Sequence, residues 1–262
     1  MSQEQWCNPV KKKLHAGEPV LAVTITVNSI DVAAHAARMG FDFLWVEMEH
    51  SPITLESLRN MVLATRGLPA VPFARVPVNE TWTAKRVLDA GVFGVMFPFT
   101  STPELARQAA AACRYPPRGT RGSGAGLAMF AWPDVTNYHD CADENVLVIA
   151  IIEEARAVGN IDEIAATPGV DVLFIGTSDL SFSLGLRGKQ DGPEHCEAIA
   201  KIVEAGKKHG KFLGRPAATA AKIAEYREQG FQLFQTMTDI GLMTQGAKGL
   251  FQSLGNLKIA DI

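Results

Sequence analysis

The sequence has 262 residues, 47% of them hydrophobic, and a formal net charge of −3. This length suits one enzyme-sized domain with a substantial core, and the interspersed charges leave no basic patch for nucleic acid. The four cysteines form no C-x-x-C pair, no signal peptide is visible, and the longest strongly apolar run, Val146 to Ile152, is too short to cross a bilayer. We therefore expect a cytoplasmic protein without disulfides, a zinc site or a membrane partner.

Short apolar runs alternate with amphipathic segments along the chain. Strands are predicted where nearly every residue is apolar, at Val20–Thr26, Phe43–Val46, Val71–Arg75, Gly94–Phe97, Val146–Ile152, Val172–Ile175, Phe212–Leu213 and Gln232–Gln235. Helices are predicted where apolar residues recur at helical spacing, at Ile30–Met39, Leu55–Thr65, Thr81–Asp89, Pro103–Cys113, Val158–Ala166, Pro193–His209, Ala217–Glu228 and Ile240–Gln252.

This eightfold alternation predicts an α/β protein, a (β/α)8 TIM barrel in which residues 1–262 form a single domain. An open, doubly wound sheet is the competing architecture. The count of eight and the lack of a Gly-rich turn after the first strand favour the barrel. In a barrel, polar residues that follow different strands meet at one mouth.

One connection, residues 114–145, is too long for a simple turn and is rich in Gly, Arg and Pro near its start. Long loops in compact domains are usually functional. We expect an ordered loop that closes over a site, its own or that of a neighbouring subunit, with a mobile surface excursion as the alternative. The stretch from Gly122 to Gly126 is not a dinucleotide fingerprint, because it follows a helix and a basic loop.

Two carboxylates follow adjacent predicted strands. Glu153 ends the fifth strand and Asp179 follows the sixth. Two like charges at one rim are unfavourable unless a cation lies between them or one is protonated. Oxygen ligands with few protein donors indicate Mg²⁺ or Mn²⁺ rather than zinc. The alternatives are an ion pair with a nearby arginine, or Asp179 as a turn cap.

A histidine and an arginine complete the predicted rim. His50 lies just past the second strand, and Asp89, at the end of the third helix, is a candidate to orient it as a general base. A purely structural hydrogen-bonding role for His50 is the alternative. Arg75 ends the third strand, where it can bind a carboxylate or a developing enolate oxygen, pair with Glu47 or Glu49, or do both.

The predicted mouth lacks a lysine. Lys211 enters at the upstream end of the seventh strand, on the opposite face. Because Schiff-base chemistry needs an amine at the mouth, carbonyl activation is expected to come from the metal. The turn from Gly176 through Thr177 to Ser178 is a candidate cradle for a substrate carboxylate, since its backbone N–H groups would be exposed.

Together these residues resemble the metal-dependent pyruvate aldolases of the HpcH/HpaI family, which contains 4-hydroxy-2-oxoheptanedioate aldolase and 2-dehydro-3-deoxyglucarate aldolase. The resemblance runs from about Gly17 to Gly246. Its motifs are Phe41 to His50, Ala74-Arg75-Val76-Pro77, Leu88-Asp89-Ala90-Gly91, Arg114 to Gly122, Ile152-Glu153 and Phe174 to Ser181.

The resemblance implies a (β/α)8 barrel of the phosphoenolpyruvate/pyruvate-domain type and reversible cleavage of a 4-hydroxy-2-oxo acid to pyruvate, or a close 2-oxo acid, and an aldehyde through a metal-bound enolate. It implies Glu153 and Asp179 as ligands of Mg²⁺, Mn²⁺ or Co²⁺, His50 as a base acting through water and backed by Asp89, and Arg75 on the pyruvyl oxygen. It also implies a trimer-based homo-oligomer, commonly a hexamer, whose last helix packs on a neighbour and whose sites lie near subunit boundaries.

Several positions depart from the family's pattern. The family often has Asp at Glu47, Gln at Ile151 and an apolar residue at Arg215, and Gly-Pro-Ala-Asp where Gly176 to Asp179 stand. Glu47 and Arg215 are therefore candidate substrate-binding residues. Arg215 would contact an anionic tail or pair with a surface acid.

Two other functions stay open at this point. An acyl-CoA lyase of the malyl-CoA type would need a basic groove, for which Arg114, Arg118 and Arg121 are the candidates. A barrel that binds 2-oxo acids without turnover is the other.

Overall fold

A computed structural model describes residues 7–132 and 137–255 of the chain. Eight parallel strands, each paired with the next in sequence, close into a barrel when β8 pairs with β1. The strands are β1 (Val20–Ile25), β2 (Phe43–Glu47), β3 (Val71–Arg75), β4 (Gly94–Phe97), β5 (Leu147–Ile152), β6 (Val172–Ile175), β7 (Phe212–Pro216) and β8 (Leu233–Thr238). The predicted TIM barrel is confirmed.

Helices connect the strands and cover the outside of the barrel. They are α1 (Pro9–His15), α2 (Ile30–Ala36), α3 (Leu55–Ala64), α4 (Thr81–Ala90), α5 (Pro103–Ala112), α6 (Gly126–Ala131), α7 (Tyr138–Asn145), α8 (Ala155–Gly159), α9 (Ile161–Ala166), α10 (Thr177–Ser183), α11 (Pro193–Lys208), α12 (Ala220–Gln229) and α13 (Asp239–Ser253). In the described part of the chain, no helix combines the length and apolarity that a bilayer span requires. The limits of the predicted domain, residues 1 and 262, lie outside the described residues.

The N-terminal helix α1 has no counterpart among the predicted helices, the first of which begins at Ile30. Val10 and Leu14, four residues apart on one face of α1, are buried against the barrel. Asn8 caps the helix and donates from Nδ2 to the carbonyl oxygens of Phe93 (3.0 Å) and Asn145 (2.9 Å). α1 therefore covers the upstream end of the barrel.

The long connection after α5 lies at this same upstream end. Its described parts contain α6 and α7, and Tyr115 N donates to Asp143 Oδ1 at 2.9 Å. Residues 133–136 lie outside the described residues. The expectation that this connection closes over its own site is wrong for the described residues, because it joins the end of α5 to the start of β5, opposite the mouth.

Aromatic rings fill the barrel below its mouth. Phe43 and Phe73 have ring centroids 4.6 Å apart, and Trp45 and Phe174 have centroids 4.9 Å apart. All four rings belong to a single buried apolar cluster. The interior is thus a packed core, and the space for a small ligand lies above it at the C-terminal ends of the strands.

Candidate active site

The strand register places a glutamate beside an arginine at the mouth. β2 and β3 pair in parallel so that Glu47 stands opposite Arg75 at their last residues. Arg75 Nε donates to Glu47 Oε2 at 2.6 Å, and Arg75 Nη1 lies 3.1 Å from Glu49 Oε2. The predicted ion pairs of Arg75 with Glu47 and Glu49 are therefore both present. They fix the guanidinium at the rim, where a bound anion can reach it.

Glu47, expected to bind substrate, has a different role. Its carboxylate is 2% exposed, and Oε1 accepts hydrogen bonds from the backbone N–H groups of Glu49 (2.8 Å) and His50 (3.0 Å). Oε2 accepts from Trp45 Nε1 at 3.2 Å as well as from Arg75. Both oxygens are thus used within the protein, and Glu47 shapes the turn that carries Glu49 and His50.

Glu49 is the second acid on Arg75. Burial raises the pKa of its carboxyl group, and the charge of Arg75 opposes this shift. The carboxylate lies 3.8 Å from His50 Nε2. Glu49 thus links the fixed arginine to the histidine at the rim.

Glu153 is a buried carboxylate at the end of β5. It is 2% exposed, and Oε1 accepts a hydrogen bond from the backbone N–H of Phe99 at 2.7 Å. Burial raises the pKa of Glu153 to about 7, against the opposing effects of the Phe99 hydrogen bond and of Arg75, while the charges of Glu49 and Asp179 raise it further. A carboxylate in this position favours a bound cation or a proton.

Asp179 and Glu153 line one small pocket at the mouth. The pocket has a volume of about 140 Å³, and its lining also includes Arg75, Gly176, Thr177 and Ser178. Asp179 lies in the first turn of α10, a helix that the sequence did not predict. The structure therefore brings together the predicted metal ligands, the arginine and the predicted carboxylate cradle.

The donor set fits a hard divalent ion. Within residues 7–132 and 137–255, no cluster of three or more His, Cys, Asp or Glu side chains is arranged to bind a metal. Mg²⁺ and Mn²⁺ commonly use one or two carboxylates and complete their coordination with water and substrate oxygens. Burial raises the pKa of the Glu153 carboxyl group, an effect that a bound cation would offset. Glu153 and Asp179 therefore suit such an ion.

His50 and Asp89 are not brought together within one chain. The His50 side chain is 62% exposed at the rim. Asp89 lies near the end of α4, which leads to the upstream end of β4, and its Oδ1 accepts from Arg121 Nη2 at 3.1 Å. In the described structure Asp89 is thus an ion-pair partner of a buried arginine, and the expectation that it orients His50 of its own chain is not met.

Arg215 points away from the mouth. A Cβ on Gly214 would lie 2.7 Å from the Phe174 ring, so residue 214 faces the barrel interior and residue 215 faces outward. The Arg215 guanidinium lies on the ring of Tyr226 in α12, with Cζ 3.6 Å from the ring centroid. Arg215 therefore does not bind substrate in the pocket at the mouth, and that prediction is wrong.

Sequence reasoning missed several residues of the site. Trp45, Phe174, Pro216 and Gln235 line the pocket, and alternation along the strands is the signal that identifies which residues face inward. His195, in α11, is fully buried, with Nε2 3.0 Å from Thr177 O and Nδ1 2.9 Å from Gln190 O. No signal in the sequence indicates that contact, because it joins two distant segments.

Gly176 leaves the space that Glu153 occupies. A Cβ at position 176 would lie 2.6 Å from Glu153 Oε2, which is closer than real Cβ contacts. We expect Gly176→Ala to displace the carboxylate and lower kcat/KM about 100-fold, since a misplacement of about 1 Å can have that effect. Gly159→Ala is the control, because its Cβ meets no atom within 4 Å. Unchanged kinetics in Gly176→Ala would contradict this role.

The raised pKa of Glu153 predicts a pH-dependent stability of the metal-free protein. The folded state holds the Glu153 proton up to about pH 7, whereas the ordinary value is 4.5. The free energy of unfolding in EDTA is therefore expected to gain roughly 3 kcal/mol from this group as the pH falls from 8 to below 4.5, and to lose it again as the pH rises through 7. Urea denaturation of the wild type and Glu153→Gln should show a steeper pH slope for the wild type; equal slopes would refute the prediction.

A parallel barrel whose mouth joins two carboxylates and a fixed arginine defines an enzyme active site. The family model for HpcH/HpaI aldolase/citrate lyase matches residues 24–245. A hydroxypyruvate/pyruvate aldolase from Paraburkholderia phytofirmans is 32% identical over 253 residues, covering 94% of this chain and 97% of the relative. A 5-keto-4-deoxy-D-glucarate aldolase from an Enterobacter species is 34% identical over 253 residues, covering 97% and 99% of the two chains.

A solved structure agrees with these relatives. An HpcH/HpaI aldolase/citrate lyase family protein from Burkholderia cenocepacia J2315 superposes with a TM-score of 0.86 at 34% identity, covering 94% of this chain and 99% of that one. The chain belongs to the HpcH/HpaI aldolase/citrate lyase family. It is an enzyme of the aldolase class, a carbon–carbon lyase.

Proposed function

We propose that this aldolase reversibly cleaves a 4-hydroxy-2-oxo acid to pyruvate, or a close 2-oxo acid such as hydroxypyruvate, and an aldehyde. The observation that carries the proposal is the buried Glu153 beside Asp179 in a pocket of about 140 Å³ that also contains Arg75. A pocket of this size suits a three-carbon oxo acid, with the aldehyde portion lying toward solvent. Relatives named for pyruvate, hydroxypyruvate and a ketodeoxy sugar acid support the same substrate class.

The metal is proposed to be Mg²⁺, Mn²⁺ or Co²⁺ held by Glu153 and Asp179. When bound, such an ion polarises the 2-oxo group and stabilises negative charge on its oxygen. Arg75, fixed by Glu47 and Glu49, would hold the same oxygen from the side of β3. Thr177 and Ser178 open α10, so their N–H groups have no partner within the helix and would bind the substrate carboxylate. The Gly176 N–H is already bonded to Ile152 O at 3.1 Å.

His50 is proposed as the base. Acting through water, it would take the proton from the C4 hydroxyl group as the C3–C4 bond breaks. The bonding electrons would pass to the three-carbon fragment, whose enolate is protonated at C3 to give the 2-oxo acid, while C4 leaves as the aldehyde. An exposed imidazole at the rim can exchange its proton with solvent between turnovers.

Exposed apolar residues on two helices support a homo-oligomer with sites at subunit boundaries. In α13 only Asp239 is buried, while Ile240, Met243, Leu250 and Phe251 are exposed, which suits packing on a neighbouring subunit in a trimer-based assembly, proposed to be a hexamer. Leu127, Met129 and Phe130 of α6 are exposed beside the end of α4 that carries Asp89. We propose that Asp89 acts on His50 of a neighbouring subunit.

Mixed oligomers test this arrangement. His50→Asn and Asp89→Asn are each expected to lower kcat roughly 10²- to 10⁴-fold, the range of general acid–base catalysis. Dissociating the two variants and reassembling them together should restore activity, because some sites then combine an intact His50 with an intact Asp89. Each variant reassembled alone is the control. A mixture as inactive as its components would refute a shared site.

The acyl-CoA lyase alternative finds no support in the basic loop. Arg114 Nη2 lies 3.5 Å from Asp171 Oδ2, Arg118 is bonded to Glu144, and Arg121 is fully buried against Asp89. All three guanidinium groups have carboxylate partners at the upstream end of the barrel, so they form no groove for CoA phosphates at the mouth.

An assay panel tests the proposed function. Pyruvate and hydroxypyruvate are incubated with aldehydes that carry acidic or neutral tails, with Mg²⁺, Mn²⁺ or Co²⁺, or with EDTA. We expect condensation and exchange of the pyruvate methyl protons to require the ion. Activity that survives EDTA but is lost after borohydride trapping would instead indicate a Schiff base. Binding without proton exchange would indicate a non-catalytic binding protein.

The position of Lys211 argues against a Schiff base formed by this residue. Lys211 donates to Thr167 O (2.9 Å) and Val170 O (2.8 Å) at the upstream end, away from the pocket.

A further inference from the structure

A second cleft lies outside the barrel, between α11 and α12. Its volume is about 690 Å³, within the range of small-molecule sites. α11 contributes an apolar strip of Ile199, Ala200 and Val203, and α12 contributes the ring of Tyr226. α12 buries none of its ten residues, so the cleft remains open between the two helices.

The cleft contains a buried arginine. Arg215 is 8% exposed and lines the cleft, and its buried Nε has no hydrogen-bond partner among the described residues. Its guanidinium lies between the rings of Tyr226 (3.6 Å from Cζ) and Phe231 (5.2 Å). Buried guanidinium groups are normally hydrogen-bonded, because loss of water without replacement is unfavourable.

The charged residues of the cleft indicate the net charge of a suitable ligand. Lys222 is paired with Glu225 at 2.9 Å and Lys207 also lines the cleft, but both lysines are exposed, so Arg215 is the buried cation. Asp191 and Glu204 also line the cleft and would repel a multiply charged anion. Burial lowers the pKa of Arg215, an effect that a bound anion would reverse.

We propose that the cleft between α11 and α12 is a binding site for a small monocarboxylate with an apolar body, whose carboxylate pairs with Arg215. The planar guanidinium binds a carboxylate through two parallel hydrogen bonds. The apolar body of the ligand would lie on Ile199, Ala200 and Val203. The site is separate from the pocket at the mouth, because Arg215 and Gly214 face opposite sides of β7.

A matched pair of probes tests the proposal. Full-length protein is titrated calorimetrically with 4-iodobenzoate and with its neutral analogue, 4-iodobenzamide. We expect the benzoate to bind, and the benzamide to bind roughly 10- to 100-fold more weakly, since a charge-assisted hydrogen-bond pair contributes that ratio. In crystals soaked with the benzoate, the iodine anomalous peak should lie between α11 and α12. Equal affinities for the two probes, or a peak only elsewhere, would overturn the proposal.

Variants of two arginines on this side of the barrel serve as test and control. Arg215→Met should raise the dissociation constant for 4-iodobenzoate at least tenfold, whereas Arg227→Met, at an exposed position on α12, should leave it unchanged. Arg215→Lys retains the charge without the planar group and should give an intermediate value. Unchanged affinity in Arg215→Met would refute the assignment.

Cysteine labelling of the wild-type protein measures binding in the cleft without any substitution. Cys196 lines the cleft and is exposed, and Cys7 is a second exposed cysteine outside it. We expect 4-iodobenzoate to slow alkylation of Cys196 in the wild type and to leave Cys7 unaffected, as measured by mass spectrometry. Equal rates at Cys196 with and without saturating benzoate would contradict binding in this cleft.

Discussion

Glu153→Gln is expected to lower kcat/KM for aldol cleavage by about three orders of magnitude while the protein stays folded. The amide keeps an oxygen for the Phe99 N–H but carries no charge for the divalent ion. Loss of about 4 kcal/mol of stabilisation of the developing enolate corresponds to that factor. At pH 8 in EDTA the variant should unfold at a higher urea concentration than the wild type, since it removes a buried carboxylate. Asp179→Asn should show a similar loss of activity.

Glu154→Gln is the matched control. Glu154 is the next residue, but it is bonded to Ser101 and does not line the pocket at the mouth. Its activity and its dependence on Mn²⁺ should remain those of the wild type. A Glu153→Gln enzyme with wild-type kcat/KM and an unchanged requirement for Mn²⁺ would contradict the proposed metal site.

Arg75→Met is expected to abolish activity and to destabilise the fold by about 3–5 kcal/mol. Removing the guanidinium leaves Glu47, which is 2% exposed, and Glu49 as adjacent acids without their counter-charge. Urea denaturation at pH 8 measures the change. Adding Glu47→Gln should recover part of the stability but none of the activity, because the variant still lacks the group proposed to bind the pyruvyl oxygen.

An exposed ion pair of the same chemistry provides the comparison. Arg107 lies 2.5 Å from Glu104 on the surface of α5. Arg107→Met should change the free energy of unfolding by less than about 1 kcal/mol, as is usual for exposed pairs. If Arg75→Met were no more destabilising than Arg107→Met, Arg75 would not be the group that balances the buried acids.

The barrel could be predicted because most strands are apolar on both faces and most long helices repeat their apolar residues at helical spacing. The predicted strands also locate the residues at their downstream ends, so Arg75, Glu153 and Asp179 were correctly placed together at the mouth. The short helices α1, α6, α7 and α10 were missed, since segments of six to eight residues carry little periodicity. The first is stabilised by tertiary contacts of Val10 and Leu14 rather than by its own pattern.

Side-chain direction and quaternary structure were harder to predict. Arg215 was a candidate for substrate binding because it replaces an apolar residue of the family after the seventh predicted strand. The strand in fact continues through Pro216, and its alternation turns Arg215 outward. Asp89 precedes β4 in sequence but lies at the upstream end of the barrel, where it pairs with Arg121. Glu47 looked available for substrate, and only its four hydrogen bonds show that both oxygens are used.

Anomalous diffraction at the manganese absorption edge tests most directly whether Glu153 and Asp179 hold the ion on which the proposed chemistry depends. Crystals of the full chain are soaked with MnCl₂ and pyruvate, and Glu153→Gln crystals are treated identically. The proposed site predicts a manganese peak between the two carboxylates in the wild type, with pyruvate beside Arg75, and no peak in the variant. A wild-type map with bound pyruvate and no manganese at these side chains would contradict it.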